Sequence, residues 1–287
     1  MAESRAAATG AGSRRARLAV LGSPIAHSKS PMLHRAAYAQ LGLEWEYTAV
    51  EMTGDRLPRF IDGLDASWRG LSLTMPLKQD VLPLLDEVDD LAALAGAANT
   101  VLFDTARRRG FNTDVGGIVR ALGDHGLDAV RSGVLIGGGA TAASALIAMA
   151  QLGATDVSVF VRRNGAGSAL VELGSRLGLT VDEAPIGEFA STDGADLVVS
   201  TVPGGTDLGV TASDALARHA VLLDVAYDPW PSRLAQSWLA VDGTVVHGLE
   251  MLLHQALLQV RVFVNGDQLA PLDDEPEVLA VMRESLS

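Results

Sequence analysis

Short apolar runs and longer amphipathic stretches alternate along this chain, and that alternation points to its fold class. Residues 17–21 (RLAVL) form a compact apolar run ending at Gly22, the pattern of a parallel strand buried on both faces. Ser30-Pro31 then reads as an N-cap followed by a first-turn proline, opening an amphipathic helix over 32–41 that Gly42 closes. Further on, 45–50, 70–74 and 100–104 read as strands, and 55–64, 83–87, 90–95 and 114–125 as helices. A second series starts at Gly133, with strands at 134–137, 156–161, 197–200 and 221–225 and helices at 140–152 and 169–177. Residues 254–263 are apolar and helical, and the acidic tail from Gly266 predicts one last helix.

Strands separated by helices imply parallel sheets with covered faces, and the restart at Gly133 implies two α/β domains. Residues 132–155 carry no charge and have the length of a membrane span. Gly137, Gly138 and Gly139 fall in its first third, with Ser144 and Gln151 beyond, so strand, tight turn and buried helix account for it better. Met1 to Arg15 lacks the apolar core of a signal peptide and reads as a disordered extension of a cytoplasmic protein.

Composition narrows the function classes. The 287 residues carry 22 Lys and Arg against 35 Asp and Glu, a formal charge of −13 that disfavours nucleic acid or an anionic membrane as partner. Cysteine is absent, which removes disulfides, thiolate metal sites and cysteine nucleophiles. His27, His34, His247 and His254 show no repeated ligand spacing, so no metal is assigned.

Two features carry chemistry. Gly137-Gly138-Gly139-Ala140-Thr141-Ala142 fits G-x-G-x-x-A between a predicted strand and a predicted helix, the pattern of a Rossmann-type dinucleotide turn. The strand that follows ends in Arg162-Arg163-Asn164, with no acid to take a ribose 2′-hydroxyl and two guanidiniums suited to a 2′-phosphate, which points to NADP(H). In the first half, four polar clusters interrupt apolar sequence, at 23–31, 71–78, 96–100 and 110–117. The first two follow strands, where ligands of open α/β sheets bind, and Ser28, Ser30, Thr74, Asn99 and Asp114 suit a polyhydroxylated substrate.

Taken together these motifs resemble the shikimate dehydrogenase family, from about residue 18 to about 264. Ser28-Lys29-Ser30 matches its S-x-S, Ser72-Leu73-Thr74-Met75-Pro76-Leu77-Lys78 its N-V-T-x-P-x-K, and Ala98-Asn99-Thr100 its A-N-T. Asn112-Thr113-Asp114-Val115-Gly116-Gly117 matches N-T-D-x-x-G, residues 224–229 resemble D-x-x-Y-x-P, and 248–255 resemble G-x-x-M-L-x-x-Q. Departures are Ser72 for Asn, Val161 and Arg163 around the retained Arg162, and a G-G-G-A-T-A-A loop in place of G-A-G-G-A-A.

The resemblance implies a substrate domain at 17–114 completed by 249–287, a dinucleotide domain at 115–248, and 1–16 outside both. It implies NADPH-dependent reduction of 3-dehydroshikimate to shikimate with Lys78 and Asp114 as the catalytic pair. Asp114 could also cap the helix that it opens. Ser28 and Ser30 would bind the substrate carboxylate, Thr74, Asn99, Asp114 and Gln255 the ring hydroxyls, and Tyr227 the carboxylate or the pocket mouth. The cofactor would meet the glycine loop, Arg162 and Arg163, the loop Thr201-Val202-Pro203, and Val225, Gly248 and Met251. A monomer or homodimer acting on a small molecule is implied. An NAD-using quinate/shikimate dehydrogenase and a silent dinucleotide- or shikimate-binding regulator stay open as alternatives.

Overall fold

The computed structural model describes residues 15–104 and 107–286; most of the expected N-terminal extension, residues 1–14, lies outside the described residues. The first sheet contains β1 (Arg17–Gly22), β2 (Glu46–Glu51), β3 (Trp68–Leu73), β4 (Glu87–Val88), β5 (Thr100–Asp104) and β6 (Arg107–Phe111), in the order β2-β1-β3-β5-β6-β4. The second contains β7 (Ser132–Ile136), β8 (Asp156–Val161), β9 (Thr180–Pro185), β10 (Leu197–Ser200), β11 (Val221–Asp224) and β12 (Val245–His247), in the order β12-β11-β10-β7-β8-β9. Every pairing in the second sheet is parallel. Its strand order reverses between β7 and β10, which opens a crevice at their carboxyl ends.

The two-domain α/β architecture follows the hydrophobic pattern, but the first sheet is mixed. β5 runs antiparallel to both β3 and β6, correcting the all-parallel expectation. The partner strand escapes the periodicity because Arg107, Arg108 and Arg109 replace the apolar run of a covered strand, and all three lie at least partly in solvent. The expected helix at 83–87 is a 3-10 turn (Leu82–Leu84) followed by the two-residue β4. β9, β12 and the helices Asp214–His219 and Arg233–Leu239 were not visible in the pattern, being short or polar on one face. Ser30 is the first residue of its helix rather than the N-cap, which is Lys29. The uncharged stretch 132–155 forms β7, the glycine turn and a buried helix (Ala140–Gln151), and no helix among the described residues is long and apolar enough to cross a membrane.

The helix Gly248–Asn265 leaves the second sheet and lies against the first. Arg69 Nε donates to the Phe263 carbonyl at 2.8 Å, and a Cβ on Gly70 would meet the Phe263 ring at 2.5 Å. Its other neighbour is the helix Asp114–Asp124, where a Cβ on Gly117 would come within 2.9 Å of the Gln255 nitrogen. Only a residue without a side chain permits that approach, and it seats Gln255 and Gln259 beside the strand ends. At the far ends of these helices Asp124, Glu250 and His254 bring oxygen and nitrogen atoms within 4.8 Å of one another. The Arg283 guanidinium sits among them, 2.9 Å from Asp124 and 3.2 Å from Glu250.

A buried polar chain joins this helix to the first sheet. The Tyr47 hydroxyl donates to Ser72 Oγ at 2.7 Å, Ser72 donates to Gln259 Oε1 at 2.8 Å, and His34 Nε2 donates to the same oxygen at 3.1 Å. The His34 ring stacks on Tyr47 with centroids 4.0 Å apart, and burial drives its pKa from 6.5 down to about 3. A histidine held neutral in the fold binds fewer protons than in the unfolded chain, so its stability contribution is lost as pH falls below about 6.5. His34→Gln should therefore flatten the acid limb of stability. In urea unfolding between pH 6 and pH 4, the wild type should lose about 1.4 kcal/mol per pH unit more than the variant. Parallel acid limbs would show that the buried imidazole is not responsible.

Candidate active site

The carboxyl ends of β1 and β3 sit side by side, joined by hydrogen bonds from Thr74 N to the Leu21 carbonyl and from Ser23 N to the Met75 carbonyl, each 2.9 Å. A one-turn helix, Leu77–Asp80, follows β3 and turns Lys78 back toward the centre of the molecule. Lys78 Nζ lies 2.5 Å from Asp114 Oδ2, and the side chains retain only 11% and 4% of their exposure. A charge pair this far from water requires that its remaining hydrogen-bonding capacity be met.

The neighbouring motifs meet it. Asn99 Nδ2 donates to Asp114 Oδ1 at 2.8 Å and approaches Gln255 Oε1 at 3.3 Å. The Asn99 side-chain oxygen in turn accepts from Thr113 N and Thr100 Oγ1, both at 2.9 Å. Asn99 is thus clamped before any ligand arrives. Asp114 does not cap its helix: Asn112 Oδ1 accepts from the Asp114 and Val115 backbone N–H groups at 3.1 and 3.4 Å, leaving the Asp114 carboxylate for Lys78 and Asn99. Gln259, which carried no sequence signal of its own, supports the same group by donating to the Asn99 carbonyl and Thr100 Oγ1, each at 3.1 Å.

Between the sheets lies a cleft of about 790 Å³. One wall has Pro24, Thr74, Met75, Pro76, Lys78 and Gln79; the other has Gly137, Gly138, Gly139, Ala140 and Thr141, with Arg162 and Arg163 at its end. Thr201, Val202, Pro203, Val225 and Tyr227 close a third side. Gly137 has φ +116°, and a Cβ there would stand 2.4 Å from Thr201 Oγ1, so the tight turn demands glycine. A Cβ on Gly139 would meet nothing within 4 Å, and the helix it precedes has no side-chain cap. Its first N–H groups are therefore free to take an anion.

Other sequence-predicted residues lie around this cleft rather than on its walls. Asn99, Asp114 and Gln255 are buried behind Lys78. A Cβ on Gly248 would come within 2.4 Å of the Val225 carbonyl, and Met251 lies in the core beneath Val225. Ser28 Oγ accepts from Ser30 N at 3.3 Å, and Tyr227 on the cleft lining has its hydroxyl raised above its ordinary pKa chiefly by burial. The loop after β11 that carries Tyr227 is anchored by Asp224, which accepts from Ser232 Oγ at 2.5 Å and Ala226 N at 3.2 Å; burial raises its carboxyl above the usual range.

Known proteins share both the sequence and the fold of this chain. Residues 20–101 match the shikimate dehydrogenase substrate binding domain. A shikimate dehydrogenase (NADP(+)) of Methanothermobacter thermautotrophicus is 31% identical over 265 residues, covering 88% of this chain and 92% of its own. The chain belongs to the shikimate dehydrogenase family. Among solved structures, a shikimate 5-dehydrogenase from Mycobacterium fortuitum superimposes with TM-score 0.80 at 40% identity, over 96% of this chain and 98% of that one. The Thermus thermophilus enzyme, solved in complex with NADP(H) and shikimate, gives TM-score 0.78 at 30% identity, over 94% of this chain and 99% of that one.

One residue outside the family motifs also shapes the cleft. Glu183 on β9 accepts from the backbone N–H of Gly165 at 2.5 Å and of Gly167 at 3.0 Å, fixing the loop that begins with Arg162 and Arg163. No motif names it, since β9 itself was not legible. Glu183→Ala should accelerate hydrogen exchange at the Gly165 and Gly167 amides by about tenfold or more while leaving core strand β7 protected. Unchanged exchange at both glycines would remove Glu183 from that role.

Proposed function

We propose that this protein catalyses the reversible NADPH-dependent reduction of 3-dehydroshikimate to shikimate. The observation that carries the reading is the buried Lys78–Asp114 pair facing, across one cleft, a glycine turn with an uncapped helix. The donor set fits a phosphorylated dinucleotide: free first-turn N–H groups for the pyrophosphate and two exposed guanidiniums at the end of β8, whose tip residues 161–164 include no acid. When bound, the nicotinamide supplies or accepts the hydride. The chain's own residues do the rest.

Lys78 is the acid that delivers a proton to the substrate's C3 oxygen during reduction and the base that removes it during oxidation. Asp114 holds the ammonium in place and compensates its charge in a partly dry site. Asn99, with its oxygen fixed by Thr113 and Thr100, presents its amide to the substrate edge and keeps Asp114 oriented. Thr74 on the cleft wall and Gln255 behind it are the partners for the remaining ring hydroxyls. Ser28 and Ser30 take the carboxylate, and Tyr227 on the cleft lining closes the mouth of the pocket. In this reading residues 17–114 and 249–287 form the substrate domain and 115–248 the dinucleotide domain. The active species in this reading is a monomer or homodimer acting on a small molecule. Both ligands are diffusible anions, consistent with a cytoplasmic enzyme. Because the protein is itself acidic, their capture rests on a few local donors.

Shikimate oxidation followed by NADPH absorbance tests the assignment, with NAD and quinate as the competing cofactor and substrate. Lys78→Ala should lower kcat by about 10²- to 10⁴-fold with the fold intact. The double change Arg162→Ala, Arg163→Ala should raise KM for NADP about tenfold and leave KM for NAD within twofold of the wild-type value. Faster turnover of quinate with NAD would move the protein to the quinate/shikimate class. Tight NADPH binding with no turnover would make it a regulator.

A further inference from the structure

We infer that Thr141 is a positioning residue for Lys78, so that the dinucleotide-side loop aims the catalytic ammonium. The inference rests on the function proposed above and deepens it. Lys78 Nζ donates to Thr141 Oγ1 at 3.2 Å, reaching from the substrate side of the cleft to the first turn of the helix Ala140–Gln151. This bond spans 63 residues of sequence and ties the two walls at the reacting centre. The loop departs from the usual G-A-G-G-A-A pattern here, carrying a hydroxyl where an alanine is common.

The geometry is one of donor arithmetic. A protonated lysine has three N–H donors and no acceptor, on a stem with four rotatable carbons. Asp114 takes one N–H at 2.5 Å and Thr141 takes a second at 3.2 Å. With two directions fixed from opposite walls, the third N–H points into the cleft, where the substrate oxygen must sit. Asp114 alone would fix the distance of the nitrogen but leave it free to turn about that bond. Thr141 removes the rotation, so the ammonium is aligned for transfer without reorganising.

The inference also separates two duties of one loop. The backbone of 137–141 lines the cleft where the cofactor's phosphates would sit, whereas the Thr141 hydroxyl accepts from Lys78. Cofactor affinity and proton delivery should then respond to different atoms of the same turn.

Three variants test it in the full-length protein: Thr141→Val, which keeps the shape and loses the hydroxyl, Thr141→Ala, and Thr141→Ser, which keeps the hydroxyl. Thr141→Val and Thr141→Ala should lower kcat about tenfold, with KM for shikimate and the NADPH dissociation constant within twofold of wild type. The deuterium isotope effect on kcat, measured with 4-deuterated NADPH, should rise in both as chemistry becomes slower. Thr141→Ser should restore kcat to within about twofold of wild type. Wild-type kcat in Thr141→Val, or a loss confined to NADPH affinity with kcat intact at saturation, would overturn the role. Failure of Thr141→Ser to recover would also overturn it, because the hydroxyl would then not be the active feature. If the wild type turned over neither shikimate nor 3-dehydroshikimate, the proposed function would fall instead.

Discussion

A lysine and an aspartate withdrawn from water hold this molecule's design together. Removing both charges from solvent costs several kcal/mol per ion, and the attraction between them offsets that only if the remaining donors and acceptors are met. Asp114 therefore needs Asn99 on its second oxygen. Asn99 needs Thr113 and Thr100 to hold its own oxygen, and Gln259 holds the backbone from which Asn99 projects. From Gln259 the chain continues directly to His34 and through Ser72 to Tyr47 in the interior of the first sheet. The Lys78–Asp114 contact thus reaches from the cleft to the core by way of side chains that each have a partner.

That network depends on how closely two helices approach. Helices Asp114–Asp124 and Gly248–Asn265 could not bring Gln255 and Gln259 to the strand ends if Gly117 carried a side chain. The short stretch Asn112 to Gly117 consequently does three jobs in six residues. Asn112 accepts the first helical N–H groups, Asp114 presents its carboxylate, and Gly117 lets the neighbouring helix in. The physical requirements of capping, charge placement and close packing fall at different positions of one turn, which is why they coexist.

Much of the fold was legible because period and length encode burial. β1, β8 and β10 are apolar runs covered on both faces, and the helices 30–40, 140–151 and 168–177 fall within a residue or two of the periodic segments. β6 and β9 were not legible, since an arginine-rich strand and an alternating edge strand lack the continuous run of a covered one. The antiparallel hairpin of the first sheet went unread for the same reason. Among candidate site residues, Lys78, Thr74 and the glycine turn stand in recognisable motifs. Gln259 and Glu183 stand in none, because their roles arise from partners 160 and 18 residues away in sequence.

From the sequence alone come two α/β units, the glycine turn, the pair of basic residues after β8 and the order of the polar clusters. These depend on local periodicity and on residue types at short spacing, which the chain carries without reference to its fold. Only the tertiary structure decided which polar residue meets which. Asp114 pairs with Lys78, as the family resemblance implied, but leaves the capping role to Asn112, which already satisfies the helix start. Thr141 became a partner of that lysine because the second sheet delivers the first turn of its helix to the opposite wall of the cleft. Such pairings depend on the packing of segments far apart in sequence, and no spacing within either segment records them.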